Sequence, residues 1–452
     1  MTDTVAQRDA GTVRRRRWSW TTAAPHVAFL LLAFILVGAM MHDFEYVSPT
    51  DEIAHLDYLQ RLPEVPATGD RLSQPSLRER ACRGFSPEQP FGFPPCEAPS
   101  YDADQFPGRG YSYSGATPPV YYAVTAALTR PVAAVTGVSL FELARWCGAL
   151  WLAAFMSVAY LVGLRLGASR LAAASAGVLS ASSIGFVTSA ATIGPDIATA
   201  VVGGLIVLSG LAYDGTRRSL LVLVGLAALG AATKQTTFTA VGAVMLLLLL
   251  ASVPVRGRTA PWRLRRAAGV AAAMFGAFAL VSALWGAVYA AQAKVDPDEL
   301  PINAMFLAEV NPLPEVWQAH VFPFLATTVA NWRPAGMDDA TNAYVEGLVG
   351  GLNLIGLVAL AVGWWTAGRD GRSPDRRLGA LGIGTFVVAL VGPSLLVLLN
   401  FYVNGLSFAI VPRYGYGVLA VYCGALALLC RDRGPSRALA LLGVVGVLNV
   451  LT

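Results

Sequence analysis

The chain has 452 residues, of which 55% are hydrophobic and 13% charged, with a formal net charge of +5 and a mean hydropathy of +0.55. A soluble domain carries about a quarter charged residues, so this composition excludes one ordinary globular core, a collagen, a disulfide scaffold and a disordered tail. The basic residues lie between long apolar blocks rather than on one soluble face. This pattern argues against nucleic-acid binding and predicts an all-α polytopic membrane protein.

The first apolar block covers residues 24–41 and follows a basic N-terminus, residues 1–23, that contains Arg14–Arg17. A basic segment before an apolar block is also typical of a signal peptide. The small residues of a cleavage site are missing, however, because Met40, Met41 and His42 follow the block. We therefore predict an uncleaved first span, a cytoplasmic N-terminus and one transmembrane domain over residues 24–452.

Ten further apolar blocks are predicted to span the membrane. They cover residues 141–164, 171–190, 197–213, 220–232, 238–253, 267–291, 345–366, 378–400, 414–429 and 438–451. Alternate connections between these blocks are rich in arginine, and all of them fall on the side of the N-terminus. Short loops rich in arginine stay cytoplasmic, so the pattern predicts eleven spans with the C-terminus outside.

Two long loops, residues 42–140 and 292–344, fall on the opposite, outer side. Loops of this length are usually functional or disordered, and their aromatic residues favour ordered caps on the outer membrane face. Cys82 and Cys96 both lie in the first loop, where an oxidising compartment would permit a disulfide. Sequence spacing does not fix the geometry of such a bridge, so both states of this pair remain open.

Motifs of soluble enzymes are absent from the sequence. The two lysines, Lys234 and Lys294, do not follow a phosphate-binding glycine loop, and there is no G-x-S-x-G or H-E-x-x-H segment. The four histidines show no zinc-ligand spacing. If the protein is an enzyme, we therefore expect its substrates to be carried by the membrane.

The segment after the first span holds the first candidate site. Ile53, Leu56 and Leu59 recur at three-residue spacing, which predicts a short amphipathic helix on the membrane surface. Asp51 and His55 are four residues apart and would share one face of that helix. A carboxylate held against the bilayer is partly desolvated, which suits it to accept a proton from a hydroxyl group.

A structural interpretation of the same segment stays open beside the catalytic one. Ser48 followed by Asp51 matches a capping box, and Pro49 occupies a position favoured at the start of a helix. In that interpretation Asp51 stabilises the first helical turn and performs no chemistry.

Three further charged residues are predicted at the same membrane depth. Asp196 opens the block at 197–213, Lys234 lies at the end of the block at 220–232, and Arg413 precedes residues 414–429. Each has an ordinary alternative, as a helix start or as a snorkelling anchor. Charges at such positions are costly and tend to mark function, and two acids with two cations could hold a hydroxyl acceptor beside a phosphate donor.

Another segment of the first loop combines prolines and tyrosines before an apolar run. Pro118, Pro119, Tyr121 and Tyr122 precede this run, which Arg130 and the following proline interrupt. The interruption predicts a juxtamembrane helix rather than a crossing. Its tyrosines are expected to face lipid at the level of the headgroups.

These motifs, in this order and on one membrane side, resemble the GT-C superfamily of membrane glycosyltransferases. The resemblance rests on the acidic pair at Asp51, the P-P-x-Y-Y segment, and a G-x-S-x-x-x-x-A-R stretch that ends at Arg145. More narrowly, residues 49–55 resemble the D-E-x-x-H segment of a bacterial family, domain-of-unknown-function family 2142. The segments around Asp196, Lys234 and Arg413 resemble the same family, so that the resemblance extends over residues 49–416.

The resemblance implies transfer of a hexosyl or pentosyl group from a polyprenyl-phosphate-linked donor. The implied place is the outer face of a bacterial plasma membrane, with membrane lipid around the site and a cell-envelope glycan, lipid or protein as acceptor. It implies that Asp51 is the general base, that Glu52 is a helper or metal ligand, and that His55 orients the acidic pair or contacts the acceptor. The resemblance leaves open whether a divalent cation, Mg or Mn, is a cofactor.

The resemblance also assigns the donor and acceptor contacts. Lys234, Arg413 and Tyr414 are expected to bind the donor phosphate, as fixed cations do at a developing anion. Asp196 is expected to bind a metal or the acceptor. Asn331–Arg333 in the second long loop either caps the acceptor or belongs to a solvated loop that packs its own aromatic residues.

Two other classes of function remain open. One is a transporter or flippase of a lipid-linked glycan, and the other is a structural membrane protein without chemistry. Transporters place ionisable residues near the bilayer midplane, often on broken helices. The acids singled out here lie at one interface instead, which favours the enzyme.

Overall fold

The computed structural model describes residues 20–49, 51–84, 92–253, 262–296, 299–301, 340–366, 376–407 and 410–452. Within these ranges the backbone is helical, with short 3-10 segments and an isolated bridge between Arg71 and Tyr111. The helices are α1 (Trp20–Asp43), α2 (Glu52–Arg61), α3 (Gln74–Arg83), α4 (Val120–Thr136), α5 (Leu140–Leu166), α6 (Arg170–Ala181), α7 (Ile184–Ala191), α8 (Asp196–Ala212), α9 (Arg217–Thr233), α10 (Phe238–Ser252), α11 (Leu264–Ala291), α12 (Ala340–Thr366), α13 (Arg376–Asn404), α14 (Leu419–Leu429) and α15 (Arg433–Leu451).

The predicted all-α polytopic membrane fold is confirmed. In the described part of the chain, seven helices are long and apolar enough to cross a membrane, and the pair α6 and α7 would make eight. The predicted number of eleven spans is not confirmed. Three predicted spans fall on α8 and α9, of 17 residues each, and α14, of 11 residues. A helix of 17 residues extends only about 26 Å, less than the roughly 30 Å of a hydrocarbon core.

The predicted span at residues 171–190 is not one straight helix, because the chain breaks into α6 and α7 with a bend of 71°. The hydroxyl groups of Ser182 and Ser183 donate to carbonyls three residues earlier, which competes with the helical ladder. Glu346 of α12 accepts the Gly185 N–H at 2.8 Å. The start of α7 is therefore satisfied inside the protein rather than by water.

Two glycines allow close backbone contacts between helices and neighbouring segments, and these contacts set the positions of elements that carry polar residues. A Cβ on Gly148 of α5 would stand 1.7 Å from the Ala190 carbonyl oxygen, so glycine lets the end of α7 touch α5. A Cβ on Gly203 of α8 would stand 2.2 Å from the Gly417 carbonyl oxygen. Glycine there brings the 3-10 segment Pro412–Val418 against α8. Both approaches bring distant segments toward the same end of the helices.

The described residues between α1 and α5 form an ordered unit, called the cap below, that contains α2, α3 and α4. Its core is a cluster of aliphatic and aromatic side chains distinct from the core between the long helices. A disulfide joins Cys82 at the end of α3 to Cys96. The sequence alone had left open whether these two cysteines are bridged. Arg130 of α4 donates to the carbonyls of Leu59 and Leu62 at 2.7 and 2.8 Å and so ties α4 to the end of α2.

Two expectations about the cap are wrong in detail. The predicted helix exists as α2, but its residues from Glu52 to Leu59 are all buried, so it does not lie on a membrane surface. Tyr121 and Tyr122 do not face lipid, since they are 1% and 0% exposed. The two rings pack into the cap core, and α4 instead exposes aliphatic side chains such as Val135.

Several predicted features lie outside the described residues. They are Arg14–Arg17 of the N-terminus and Asn331–Arg333 of the second long loop.

Candidate functional site

Glu52 and Arg145 form a buried anchor beneath the cap. Arg145 of α5 donates through Nε and Nη2 to the two carboxylate oxygens of Glu52 at 2.8 and 2.7 Å. The same carboxylate accepts the N–H groups of Ser48 and Ile193 at 2.7 and 2.9 Å. Arg145 also donates to the carbonyls of Phe44 and Tyr46. With four donors on a fully buried carboxylate, Glu52 joins α2, α5 and the turn before α8, which favours a structural role over the predicted helper or metal ligand.

Asp51 sits directly before α2 in a backbone conformation that is unusual for a side-chain-bearing residue. Its φ is 68° and ψ is −5°, in the left-handed region, and its side chain makes no capping hydrogen bond. The capping interpretation of Asp51 is therefore wrong, since α2 begins at Glu52 and Glu52 itself accepts the Ser48 N–H. A left-handed non-glycine residue costs of the order of 1 kcal/mol or more and persists where tertiary contacts hold it, often at functional sites.

Four charged side chains from four distant segments, one of them Asp51, meet at one place. Arg413 Nη2 lies 3.1 Å from Asp51 Oδ2, and Arg413 Nε lies 3.5 Å from Asp196 Oδ2. Lys234 Nζ donates to the other oxygen of Asp196, Oδ1, at 2.6 Å. These four residues, Asp51, Asp196, Lys234 and Arg413, are called the ionic cluster below. The structure thus brings together the four charged groups that the sequence placed at one depth.

The ionic cluster is open on the side of Asp51. The Asp51 side chain is 36% exposed, whereas those of Asp196, Lys234 and Arg413 are 11%, 17% and 14% exposed. Arg413 Nε is buried and faces Asp196 Oδ2 at 3.5 Å, an ion-pair contact that does not meet hydrogen-bond geometry. An anionic ligand is one way to give this donor a well-aligned acceptor.

His55 faces the same site in its neutral form. Its Nδ1 lies 2.6 Å from the Tyr122 hydroxyl, and the ring edge borders Gly194, just before Asp196. Burial lowers the pKa of His55 to about 4, against the attraction of Asp51, which raises it. The imidazole is therefore uncharged at neutral pH and keeps a second ring nitrogen for a ligand.

Two tyrosines complete the surroundings of the cluster. The Tyr414 ring lies 5.1 Å from Lys234 Nζ. These two residues, both predicted to bind the donor phosphate, are therefore adjacent. Burial raises the pKa of Tyr113 in the cap well above the ordinary value, helped by the negative charge of Asp51. Sequence reasoning missed Tyr113 as a site residue, because no spacing rule connects it with Asp51, 62 positions earlier.

The described residues do not fit a divalent cation in this arrangement. Asp196 is occupied on both oxygens by Lys234 and Arg413, and Glu52 by Arg145 and two backbone groups. No three Asp, Glu, His or Cys side chains of the described part converge as ligands. Positive charge at this site is supplied by the side chains of Lys234 and Arg413.

Comparisons with known proteins gave structural likeness without sequence likeness. No family model matches the chain, and no curated protein matches it. The narrower resemblance to domain-of-unknown-function family 2142 is therefore not confirmed.

Among solved structures, the chain is similar to ArnT from Cupriavidus metallidurans bound to undecaprenyl phosphate, with 16% identity, a TM-score of 0.40, and coverage of 95% of this chain and 76% of that one. It is also similar to the mycobacterial arabinofuranosyltransferase AftD, with 14% identity, a TM-score of 0.47, and coverage of 95% of this chain and 26% of that one. The Archaeoglobus fulgidus oligosaccharyltransferase in complex with Zn and sulfate gives 12% identity, a TM-score of 0.47, and coverage of 94% of this chain and 52% of that one. The chain thus spans about three quarters, one quarter and one half of these proteins.

Proposed function

We propose that the protein transfers a sugar from a polyprenyl-phosphate-linked donor to a hydroxyl acceptor on the outer face of the plasma membrane. The single observation that carries this proposal is the ionic cluster. It holds two acids and two cations within 2.6–3.5 Å contacts, at the end of a bundle of apolar helices. The order of motifs that resembles GT-C enzymes supports the same reaction class. The acceptor class is a cell-envelope glycan, lipid or protein.

Asp51 acts as the general base in this proposal. The acceptor oxygen attacks the anomeric carbon of the donor sugar, while its proton passes to the Asp51 carboxylate. The bond between that carbon and the phosphate oxygen breaks, and polyprenyl phosphate leaves with the electron pair. Asp51 suits this role because it is the most exposed member of the ionic cluster and is held in place by Arg413.

Lys234 and Arg413 bind the donor phosphate and stabilise the charge that develops on it. Both cations face the Asp196 carboxylate: Arg413 Nε lies 3.5 Å from it without hydrogen-bond geometry, and Lys234 Nζ lies 2.6 Å from it. Fixed cations of this kind stabilise a leaving anion without reorganisation at the moment of reaction. Asp196 then holds the two cations in position, and neutral His55 is available to contact the acceptor.

The test is transfer of labelled sugar in proteoliposomes that contain the purified protein and synthetic polyprenyl-phosphate sugars, with Asp51→Asn as the variant. We expect Asp51→Asn to lower kcat by a factor of about 10² to 10⁴, because an amide accepts no proton from the attacking hydroxyl. Asp43→Asn is the matched control, since Asp43 is an exposed acid at the nearby end of α1. Full activity of Asp51→Asn would remove the base assignment.

A transporter or flippase of a lipid-linked glycan is the second candidate. The 71° break between α6 and α7, with the buried Glu346 at the start of α7, is a feature that transporters share. The same proteoliposomes distinguish the two functions. Movement of the labelled lipid between leaflets without covalent transfer would favour the transporter, and transfer at an unchanged leaflet distribution favours the enzyme.

A further inference from the structure

The adjacent tyrosines at the start of α4 hold two different parts of the candidate site. The hydroxyl of Tyr122 lies 2.6 Å from Nδ1 of His55 in α2. The hydroxyl of Tyr121 accepts the Gly194 N–H at 3.1 Å, in the turn before α8. The sequence predicts that both tyrosines face lipid, whereas both are buried in the cap. Their contacts point to a role in arranging the site.

The ring of Tyr122 is held by aromatic neighbours. It stacks on the Tyr58 ring with centroids 3.9 Å apart and an interplanar angle of 27°, and the Tyr121 ring meets it at 5.3 Å and 75°. The Tyr121 ring in turn lies 6.1 Å from that of Trp151 in α5. Buried rings packed in this way do not turn without displacing their neighbours. The Tyr122 hydroxyl therefore faces His55 from a fixed position.

The length of the contact between Tyr122 and His55 indicates which group donates. Hydrogen bonds from N–H to oxygen are about 2.7–3.2 Å long, and those donated by a hydroxyl are shorter, about 2.5–3.0 Å to oxygen. The observed 2.6 Å fits a hydroxyl donor. His55 is neutral, because burial lowers its pKa to about 4. In a neutral imidazole whose Nδ1 accepts a hydrogen bond, the proton resides on Nε2.

The Nε2 edge of the imidazole borders the turn that leads into the ionic cluster. A Cβ on Gly194 would stand 3.5 Å from Cδ2 and 3.8 Å from Nε2 of His55. Gly194 precedes Asp196 by two residues, and Tyr121 holds its N–H. The imidazole and the turn that faces it are thus both tied to the first turn of α4. This helix therefore sets the distance between His55 and the segment that carries Asp196.

We propose that Tyr122 is a positioning residue that holds His55 as the Nε2–H tautomer, so that His55 donates a hydrogen bond to an oxygen of the acceptor. The inference rests on the proposed function, because the acceptor is the substrate whose proton Asp51 takes. With Nδ1 engaged by Tyr122 and Nε2 protonated, no ring nitrogen is left to accept that proton. Asp51 is then the proton acceptor, and His55 binds the acceptor.

The opposite tautomer leads to a different division of roles. If Nδ1 carried the proton and donated it to the Tyr122 hydroxyl, Nε2 would keep a lone pair. His55 would then compete with Asp51 as the general base. The two arrangements differ in a property that can be measured without any transfer of sugar, the protonation of each ring nitrogen.

The first experiment determines the tautomer by NMR. The chain has four histidines. The protein is labelled with 15N-histidine and placed in lipid nanodiscs, and the His55 signals are assigned by their loss in His55→Gln. The 15N chemical shift separates a protonated ring nitrogen from an unprotonated one. We expect an unprotonated Nδ1 and a protonated Nε2 in the wild type, whose spectrum decides the tautomer even if a variant fails to fold.

Two tyrosine variants test whether Tyr122 sets this state. In Tyr122→Phe we expect the Nδ1 signal of His55 to move toward that of a nitrogen without a hydrogen bond. Tyr58→Phe is the matched control, because Tyr58 belongs to the same stack and its buried hydroxyl has no hydrogen-bond partner among the described residues. We expect it to keep the wild-type signals. A protonated Nδ1 in the wild type, or an unchanged Nδ1 signal in Tyr122→Phe, would overturn the inference.

The second experiment measures transfer in proteoliposomes with glucosyl diacylglycerol as the acceptor probe. In Tyr122→Phe we expect the KM for this acceptor to rise about three- to tenfold, the usual effect of one hydrogen bond, while kcat and the KM for donor change less than about twofold. Tyr58→Phe should match the wild type. A fall in kcat at an unchanged acceptor KM would place His55 in proton transfer and overturn the inference. Absence of transfer in every protein would count against the proposed function alone, because the NMR spectra decide the tautomer without it.

Discussion

Two neighbouring carboxylates illustrate how different environments separate structural and chemical roles. Glu52 is fully buried and accepts four hydrogen bonds, two of them from Arg145. Asp51 is about one third exposed and pairs with Arg413 at 3.1 Å. A carboxylate with every acceptor site engaged is stabilised as a structural anion, whereas an exposed one keeps a lone pair for a substrate proton. The roles of the pair therefore follow from their contacts and not from their residue type.

The two lysines of the chain allow a residue-scale prediction about the donor. In Lys234→Gln a neutral amide on a side chain shorter by one methylene replaces the positive charge next to Asp196. We expect the KM for polyprenyl-phosphate donor to rise about tenfold or more, because a charge-assisted contact to the phosphate is lost. The measurement is donor-dependent transfer in proteoliposomes.

Lys294→Gln is the control for that change. Lys294 pairs with Asp70 at the exposed edge of the cap and lies outside the ionic cluster. We expect its KM for donor to match that of the wild type. Equal donor affinity in both lysine variants would reassign Lys234 to a membrane anchor.

At the scale of elements, one glycine controls how α5 meets α7. Gly148 lies one turn after Arg145, and its missing side chain lets the Ala190 carbonyl touch α5. The turn that follows α7 places the Ile193 N–H on Glu52 and leads into Asp196. The packing of α5 on α7 therefore sets the position of one acid of the ionic cluster.

We expect Gly148→Ala to push α7 away from α5, because the added methyl group would overlap a carbonyl oxygen. The change should lower the apparent melting temperature in detergent, as overpacking by a methyl group costs about 1–3 kcal/mol. It should also lower transfer about tenfold through displacement of Asp196. Gly269→Ala in α11 is the control, since a Cβ there meets no atom within 4 Å. A melting temperature and activity equal to those of Gly269→Ala would contradict the packing argument.

The elements themselves were largely predictable, because long apolar blocks and flanking arginines are local signals. Each predicted span contains helix, and the juxtamembrane segment is the single helix α4. The break between α6 and α7 was not predictable from hydropathy, since both halves are apolar and the acid that supports α7 lies 161 residues away. The burial of Tyr121 and Tyr122 was likewise not predictable, since Tyr122 stacks on Tyr58 of α2 and Tyr121 packs against Trp151 of α5.

The site was predictable in composition but not in its contacts. Charges at a membrane interface are costly, and this alone singles out Asp51, Asp196, Lys234 and Arg413 as candidates. The contact between Asp51 and Arg413 joins residues 362 positions apart, and no local pattern encodes it. The left-handed backbone of Asp51 also arises only from tertiary packing.

At the scale of the molecule, the cap and the helical bundle meet at the ionic cluster. The start of α2 supplies Asp51 and His55 on one side, while α8, α9 and the 3-10 segment Pro412–Val418 supply the other charges. The helices α4 and α11 expose aliphatic side chains such as Leu128 and Leu284 to the surroundings.

The most direct test of this account is photolabelling with a polyprenyl phosphate that carries a diazirine next to its phosphate group. The purified protein in lipid nanodiscs would be irradiated, digested and mapped by mass spectrometry. We expect labels in the peptides that contain Asp51, Asp196, Lys234 and Arg413, competition by unlabelled polyprenyl phosphate, and loss of those labels in Lys234→Gln. Labels confined to other segments, or labels at these peptides that neither competitor nor substitution reduces, would contradict the claim that the ionic cluster binds the phosphate of a lipid-linked sugar.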